Sequence, residues 1–287
     1  MLKRRFLTIV ELHQFRHDSD GADAAGHRLA DKVALLERFG VDVVTITESE
    51  NAKFSHSSLE TARVLQDASG LRVVPHLTLR GRKKSGAKAL VTGARAAGLD
   101  TLLVIQGDRF SFQNGGYRFA SEMVRHLVSL APDLTIGAAC NPHAPRDREF
   151  LSVRAKVAAG AKYLVSQPVF SAEQYCEYVE WLASNNITIP VIAGILPLKS
   201  DASISFVEKH IPEVAIPEEV KALHLASEDM ESACIAFTRR LIRELKEAGA
   251  PGIDIYSRGD VALVGRILSQ RSAIQESGAI LAEPVVS

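Results

Sequence analysis

The stretch LLVIQGDR, residues 102–109, begins as four apolar residues suited to a buried strand and stops at Gln106-Gly107-Asp108. A strand that merely ends in the core has no use for an amide, a glycine and a carboxylate in a row. A strand whose end faces a ligand does, because glycine lets another group approach the backbone and the polar side chains then have something to hold. The same construction recurs along the chain. Short β-branched or apolar runs lie at 6–12, 41–47, 71–79, 99–105, 134–139, 162–166, 187–193 and 252–256. Longer amphipathic stretches separate them, near 23–39, 57–69, 83–97, 116–130, 147–159, 172–184, 201–209 and 229–248, with a last one near 260–269. Gly40, Gly70, Gly98, Gly160 and Gly249 each close a helical stretch just before the next strand, the usual helix exit.

Strands alternating with helices of this length are βαβ units of a parallel sheet. Eight such units in one chain predict a closed (β/α)8 TIM barrel, a single α/β domain over residues 1–270. The competing open doubly wound sheet lacks its glycine fingerprint after the first strand. About 60 residues between the seventh and eighth strands leave room for an extra helix near 217–226. The tail 271–287 has weak periodicity and is expected to lie loosely on the surface.

Bulk composition narrows the function. The chain has 287 residues, 46% of them hydrophobic, and its 34 Lys and Arg balance its 34 Asp and Glu. No global field recruits nucleic acid or an anionic membrane, so no nucleic-acid or membrane partner is expected. Three widely spaced cysteines, Cys140, Cys176 and Cys234, lack metal-ligand spacing. The N-terminal MLKRRFLTIVELHQ has no cleavage site after its short apolar run. A reduced, cytoplasmic protein without a metal is expected, and a homo-oligomer is compatible with these features.

In a (β/α)8 barrel all strand ends share one face, and the chemistry sits there. In chain order those ends carry Glu11, Thr47-Glu48, His76 with Thr78, Asp108, Cys140-Asn141, Gln167, and Tyr256 with Ser257. Acids and amides gathered in this way suit a polar heterocycle. Each residue also has a plainer reading. Glu11 could pair with a surface cation, and His76 in VVPHLTL could be a satisfied core histidine. Gln167 could tie two loops, Asp108 could cap a turn, and Cys140 could be buried filler.

An ordered set of segments decides between these readings. PHLT (75–78), LLVIQGD (102–108), GYRFASEMV (116–124), IGAACNP (136–142), KVAAGAKYLVSQPVF (156–170), PVIAGILP (190–197) and KEAGAPGIDIYS (246–257) together resemble the methylenetetrahydrofolate reductase family. The segment 45–65 is similar to its divergent, single-domain bacterial branch. The resemblance implies a barrel enzyme in which FAD takes hydride from NADH or NADPH and passes it to 5,10-methylenetetrahydrofolate, giving 5-methyltetrahydrofolate. It places Glu11 as the general acid and Asp108 as the carboxylate that holds the pterin and favours the iminium charge. Gln167 reads the pterin edge, and Val207 takes the position of an aromatic that packs on folate. Thr47, His76, Gln106, Gly107, Phe119, Ala120, Ala138, Cys140, Glu149 and Lys156 fall on cofactor-lining positions, with Lys156 toward a phosphate and Glu149 toward a ribose. Several depart from the family pattern: Gln106 stands where arginine is usual, Phe119 replaces a tyrosine, and Cys140-Asn141 interrupt an aromatic segment. Two other readings stay open: flavin-independent transfer from the nicotinamide, and a folate- or corrinoid-handling methyltransferase on the same barrel. A third, a non-catalytic subunit, is opposed by the two retained acids.

Overall fold

Strand β1 (Leu7–His13) reads LTIVELH, and its alternation sends Thr8, Val10 and Leu12 outward and Leu7, Ile9, Glu11 and His13 inward. The same two-faced pattern repeats in β2 (Val43–Thr47), β3 (Arg72–Thr78), β4 (Thr101–Ile105), β5 (Thr135–Cys140), β6 (Tyr163–Pro168), β7 (Val191–Ile195) and β8 (Gly252–Tyr256). A computed structural model describes residues 5–13, 21–48, 57–107, 112–211, 213–226 and 229–269. In it the eight strands pair in parallel, in chain order, and β8 closes onto β1. The helices α1 (Gly21–Arg38), α2 (Ser58–Ala68), α3 (Ala87–Ala96), α4 (Ala120–Leu130), α5 (Arg146–Ala158) and α6 (Ala172–Ser184) each follow one strand. After β7 come α7 (Asp201–His210), the expected extra helix α8 (Glu218–Ala226) and α9 (Met230–Glu247), and α10 (Val261–Leu268) follows β8. The (β/α)8 barrel expected from the sequence is the fold. Residues 271–287 lie outside the described residues.

The largest core cluster is the annulus between strands and helices, with Val10, Val44, Leu102, Ile136, Ala193 and Ile255 on its inner side. A second cluster around Phe170, Leu198, Val207 and Val220 seats α7 and α8. The third fills the barrel itself. With the shear of about 8 usual for this fold, the strand registers sort inward residues into levels. The lowest holds Ile9, Val74, Gly137 and Ile192; the next holds Thr45, Leu103, Val165 and Asp254. Above them lie Glu11, His76, Ala139 and Gly194, and then Thr47, Ile105, Gln167 and Tyr256. Apolar at the bottom and polar at the top, the interior changes character within two levels.

Two local devices set the upper levels. The β6–β7 register slips between Val165 and Pro168, where proline cannot donate to the ladder. The bulge turns Gln167 toward the mouth and frees Ser166, whose hydroxyl accepts from Gly194 N–H at 2.9 Å. Tyr256 then lies over Gly194, and its hydroxyl donates to Ser166 O at 2.6 Å. A Cβ on Gly194 would come within 2.3 Å of Ser166 O and 2.6 Å of Tyr256 Oη, so the backbone approach requires glycine there.

Candidate active site

Glu11 reaches its place because β1 is long enough to carry its inward face one level above the apolar filling. Its side chain is 18% exposed, and Oε2 stands 3.9 Å from Nδ1 of His76, which is 4% exposed. That separation exceeds a hydrogen bond. Burial holds the His76 imidazole down to about 4, so the ring is neutral at pH 7 and the two groups form a polar contact, not an ion pair. His76 Nε2 has no hydrogen-bond partner among the described residues. A core histidine with one orphaned nitrogen is not the satisfied kind.

The rim closes around this pair. Ser257 Oγ donates to Glu11 O at 2.6 Å, fastening the exit of β8 to β1. His13 Nδ1 and Thr47 Oγ1 lie 3.2 Å apart across β1 and β2. Glu48 accepts from Thr78 N–H at 2.6 Å and Thr78 Oγ1 at 2.8 Å, and also pairs with Arg82. Gln167 is half-buried. Gly107 adopts φ 83° with Thr78 carbons 3.2 Å from where a Cβ would sit, so the Gln106-Gly107 turn needs glycine in both conformation and space. Gln106 is exposed. Asp108 lies outside the described residues; its carrier strand β4 ends at the same rim as Glu11.

The remaining expected residues divide. Phe119, 58% exposed, caps the start of α4 beside buried Ala120. Ala138 and Cys140 face outward from β5 into the helix layer, fully or almost fully buried. Burial pushes the Cys140 thiol up to about 12, which keeps it inert. Glu149 Oε1 accepts from Asn141 N–H at 2.7 Å and Tyr178 Oη at 2.8 Å. Lys156 Nζ donates to Ala139 O and Ser152 Oγ, each at 2.9 Å. Burial drives Glu149 up and Lys156 down toward their neutral forms. Both are turned into the protein and satisfied there. Thr47, His76 and Gly107 can line a planar ring at the mouth, but Glu149 and Lys156 as placed do not fit the ribose and diphosphate of a bound FAD.

Val207 is fully buried in the cluster under α7 and does not face the mouth. Its neighbour Phe206 does. A cleft of about 610 Å³ opens on the β7–β8 side, lined by Lys199, Ser203, Phe206, Tyr256, Arg258 and Asp260 among others, a size usual for a small-molecule site. The Arg258 guanidinium carbon lies 3.9 Å over the Phe206 ring, and Arg258 holds φ 51°. Phe206 carries no signal in the sequence, because the register of α7 toward the cleft is a tertiary fact.

It also missed Asp254. Asp254 is 0% exposed, and neither carboxylate oxygen has a hydrogen-bond partner among the described residues. Thr45 Oγ1, on the same level, is close enough to favour the charged form but outside hydrogen-bond geometry. Burial dominates, and pushes the Asp254 carboxyl up to about 7. The signal was present: a lone acid in GIDIY, two residues before an inward tyrosine. Among the described residues no cluster of metal-ligating side chains occurs, and no helix is long and apolar enough to cross a membrane.

The profile of the family described as methylenetetrahydrofolate reductase matches residues 22–271. A probable methylenetetrahydrofolate reductase (NADPH) of Caenorhabditis elegans is 26% identical over 229 residues, 74% of this chain and 34% of that protein. The 5,10-methylenetetrahydrofolate reductase of Escherichia coli K12 is 24% identical over 162 residues, 55% of this chain and 54% of that one. The chain thus spans between about a third and three fifths of the length of such relatives. In structure it is similar to a Clostridium thermocellum protein that binds two copies of 5-methyl-5,6,7,8-tetrahydrofolic acid, with TM-score 0.66, 17% identity, and coverage of 93% and 94% of the two chains. At that identity the likeness concerns the fold.

Proposed function

Because the chain belongs to the methylenetetrahydrofolate reductase family, we propose that it interconverts 5,10-methylenetetrahydrofolate and 5-methyltetrahydrofolate, with reduced nicotinamide (NADH or NADPH) as the source of hydride. The observation that carries this reading is Glu11 at the barrel mouth beside neutral His76, at 3.9 Å. The family match begins at residue 22, so Glu11 stands on barrel geometry and not on that match.

The chemistry needs one proton and one hydride. Protonation of N10 opens the imidazolidine ring to an N5 iminium, and hydride then adds to the exocyclic carbon to give the methyl group. Glu11, mostly shielded from water, is suited to supply the proton. Asp108, which follows β4 in sequence, is assigned to the iminium charge, and the amide of Gln167 to the pterin edge. The β7–β8 cleft offers Phe206 and Arg258 to the rest of the folate, a flat ring for an aromatic and a cation for a carboxylate.

FAD is the carrier that the family resemblance implies. The closure of Glu149 and Lys156 onto internal partners favours a second reading, in which hydride passes directly from the nicotinamide. Two measurements test the proposal. Purified protein should oxidise NADH or NADPH only when 5,10-methylenetetrahydrofolate is present, with stoichiometric 5-methyltetrahydrofolate; no such coupling removes the reductase reading. The visible absorption spectrum of the same sample decides between carriers, since flavin bands support FAD and a colourless active protein supports direct transfer. The cytoplasm is the proposed location.

A further inference from the structure

The rim has a second, chemically distinct sector on the side opposite the β7–β8 cleft. In the closed order of strands, β3–β4 lies four strands from β7–β8 in either direction. The segments that leave β3 and lead into α4, 79–86 and 112–119, carry Arg80, Arg82, Lys83, Lys84 and Arg118 and no acid. Two carboxylates reach them from outside: Glu48 pairs with Arg82 and Glu122 with Lys84. Among these groups cations outnumber acids, in a chain of zero formal net charge.

The two segments are fastened to one another. Lys83 and Gly116 form an antiparallel bridge, and Lys84 N–H donates to Gly115 O at 2.9 Å. A Cβ on Gly116 would stand 3.1 Å from Arg82 O. Glu122 Oε2 accepts the Arg118 N–H at 3.1 Å while lying 3.4 Å from Lys84 Nζ, so one carboxylate ties both segments. The cations are therefore held together before any ligand arrives. Lys83 and Arg118 are exposed. Arg82 Nε has no hydrogen-bond partner among the described residues. Beside them Phe112 is 48% exposed, with the Arg118 guanidinium carbon 5.0 Å over its ring. An exposed ring next to a guanidinium is a platform for a heterocyclic base. Glu48 connects this sector to the mouth, because it also holds Thr78, two residues beyond His76 on β3.

We propose that this sector binds the adenosine 2′-phosphate end of NADPH and so selects NADPH over NADH. The inference rests on the reductase reading above and deepens it. With folate extending from the mouth into the β7–β8 cleft, the nicotinamide dinucleotide has the opposite side open to it. Its groups match what stands there: Phe112 for adenine, and Arg82, Lys83, Lys84 and Arg118 for phosphate oxygens. The 2′-phosphate is the one group by which NADPH exceeds NADH. As a phosphate monoester it carries a charge of about −1.5 to −2 at pH 7, which a surplus of cations favours.

Isothermal titration of the full chain with adenosine 2′,5′-bisphosphate tests this without turnover. Wild type should bind it about tenfold or more tighter than adenosine 5′-monophosphate, the difference one charge-assisted contact makes. Lys83→Ala, Lys84→Ala and Arg118→Ala should each weaken the bisphosphate by about tenfold, and Lys83→Arg should retain it. In steady-state assays the alanine variants should raise KM for NADPH by about tenfold and KM for NADH by less than about twofold. Equal binding of the two nucleotides by wild type, or equal bisphosphate binding by wild type and variants, overturns the inference and leaves the reductase reading standing. Two other outcomes also overturn it. A γ-linked triglutamate that binds wild type in place of the bisphosphate, and not the variants, would assign the cations to a folate tail. Flavin absorption lost in the variants would assign them to a flavin nucleotide. If the bisphosphate binds through these residues but the protein turns over no folate, the nucleotide site stands and the reductase reading fails.

Discussion

Replacing Asp254 by asparagine should change how stability depends on pH far more than a buried amide swap ordinarily would. Two buried groups in the barrel titrate against each other. His76, held down to about 4 from 6.5, binds fewer protons folded than unfolded, so stability rises as pH climbs from about 4 to 6.5. At 1.36 kcal/mol per pH unit this amounts to about 3 kcal/mol. Asp254, pushed up to about 7 from 3.8, binds more protons folded than unfolded. Its contribution is fully present below about 3.8 and is lost as pH rises through about 7, by about 4 kcal/mol. The two slopes have opposite sign over the same window, and in wild type they largely cancel. Relative to wild type, Asp254→Asn removes the acid slope, a gain of about 4 kcal/mol between pH 4 and 7; His76→Asn removes the histidine slope, a loss of about 3 kcal/mol between pH 4 and 6.5. Urea denaturation of the three proteins across pH 4–8 measures this, with wild type subtracted so that every other titrating group drops out. Difference curves independent of pH would refute the reasoning, since they require ordinary folded-state pKa values for both groups.

Three further outcomes are expected. Glu11→Gln and Asp108→Asn should each slow folate reduction by about 10²-fold or more while nicotinamide binding, followed by fluorescence, stays within twofold; full turnover in both would show the roles misassigned. Gly194→Ala, whose Cβ meets Ser166 O at 2.3 Å, should cost about 1–3 kcal/mol by overpacking, read from the urea midpoint, and an unchanged midpoint would mean the bulge yields freely. Gln167→Leu should raise the folate dissociation constant by about tenfold, the value of one hydrogen bond of about 1.4 kcal/mol, with little change in fold stability.

The strands were legible because period-2 alternation and a following glycine are local signals. Residues 252–256 were expected as a strand and are β8, and the extra helix expected at 217–226 is α8, Glu218–Ala226. Expected helix starts at 83 and 116 were too early: Lys84–Gly86 form a 3-10 turn, and α4 begins at Ala120. A bridge between Lys83 and Gly116 holds these entry loops together, a long-range contact that spacing does not announce. The rim residues were legible for the same reason as the strands, since a strand's last inward position can be counted. What could not be counted was which way a helix residue turns. Lys156 and Glu149 bear the charges a diphosphate and a ribose would want, yet α5 packs them onto β5 and Tyr178. Val207 and Phe206 are adjacent, and the packing of α7 puts the aromatic and not the valine into the cleft. Asp254 was hidden by its setting, for its meaning depends on the level of Glu11, on the neighbouring strand of the barrel but at the other end of the sequence.

The hydroxyl of Ser257 and the carbonyl of Glu11 are 246 residues apart in sequence, and with the β8–β1 ladder they form the seam of the cylinder. Closing a loop of that length costs about 5 kcal/mol in chain entropy, and nothing on β1 alone can meet it. A growing polypeptide therefore emerges from the ribosome with its acid in place on a strand whose neighbour has not yet been made. The proposed activity, on this geometry, switches on late and all at once, when the last stave seats against the first.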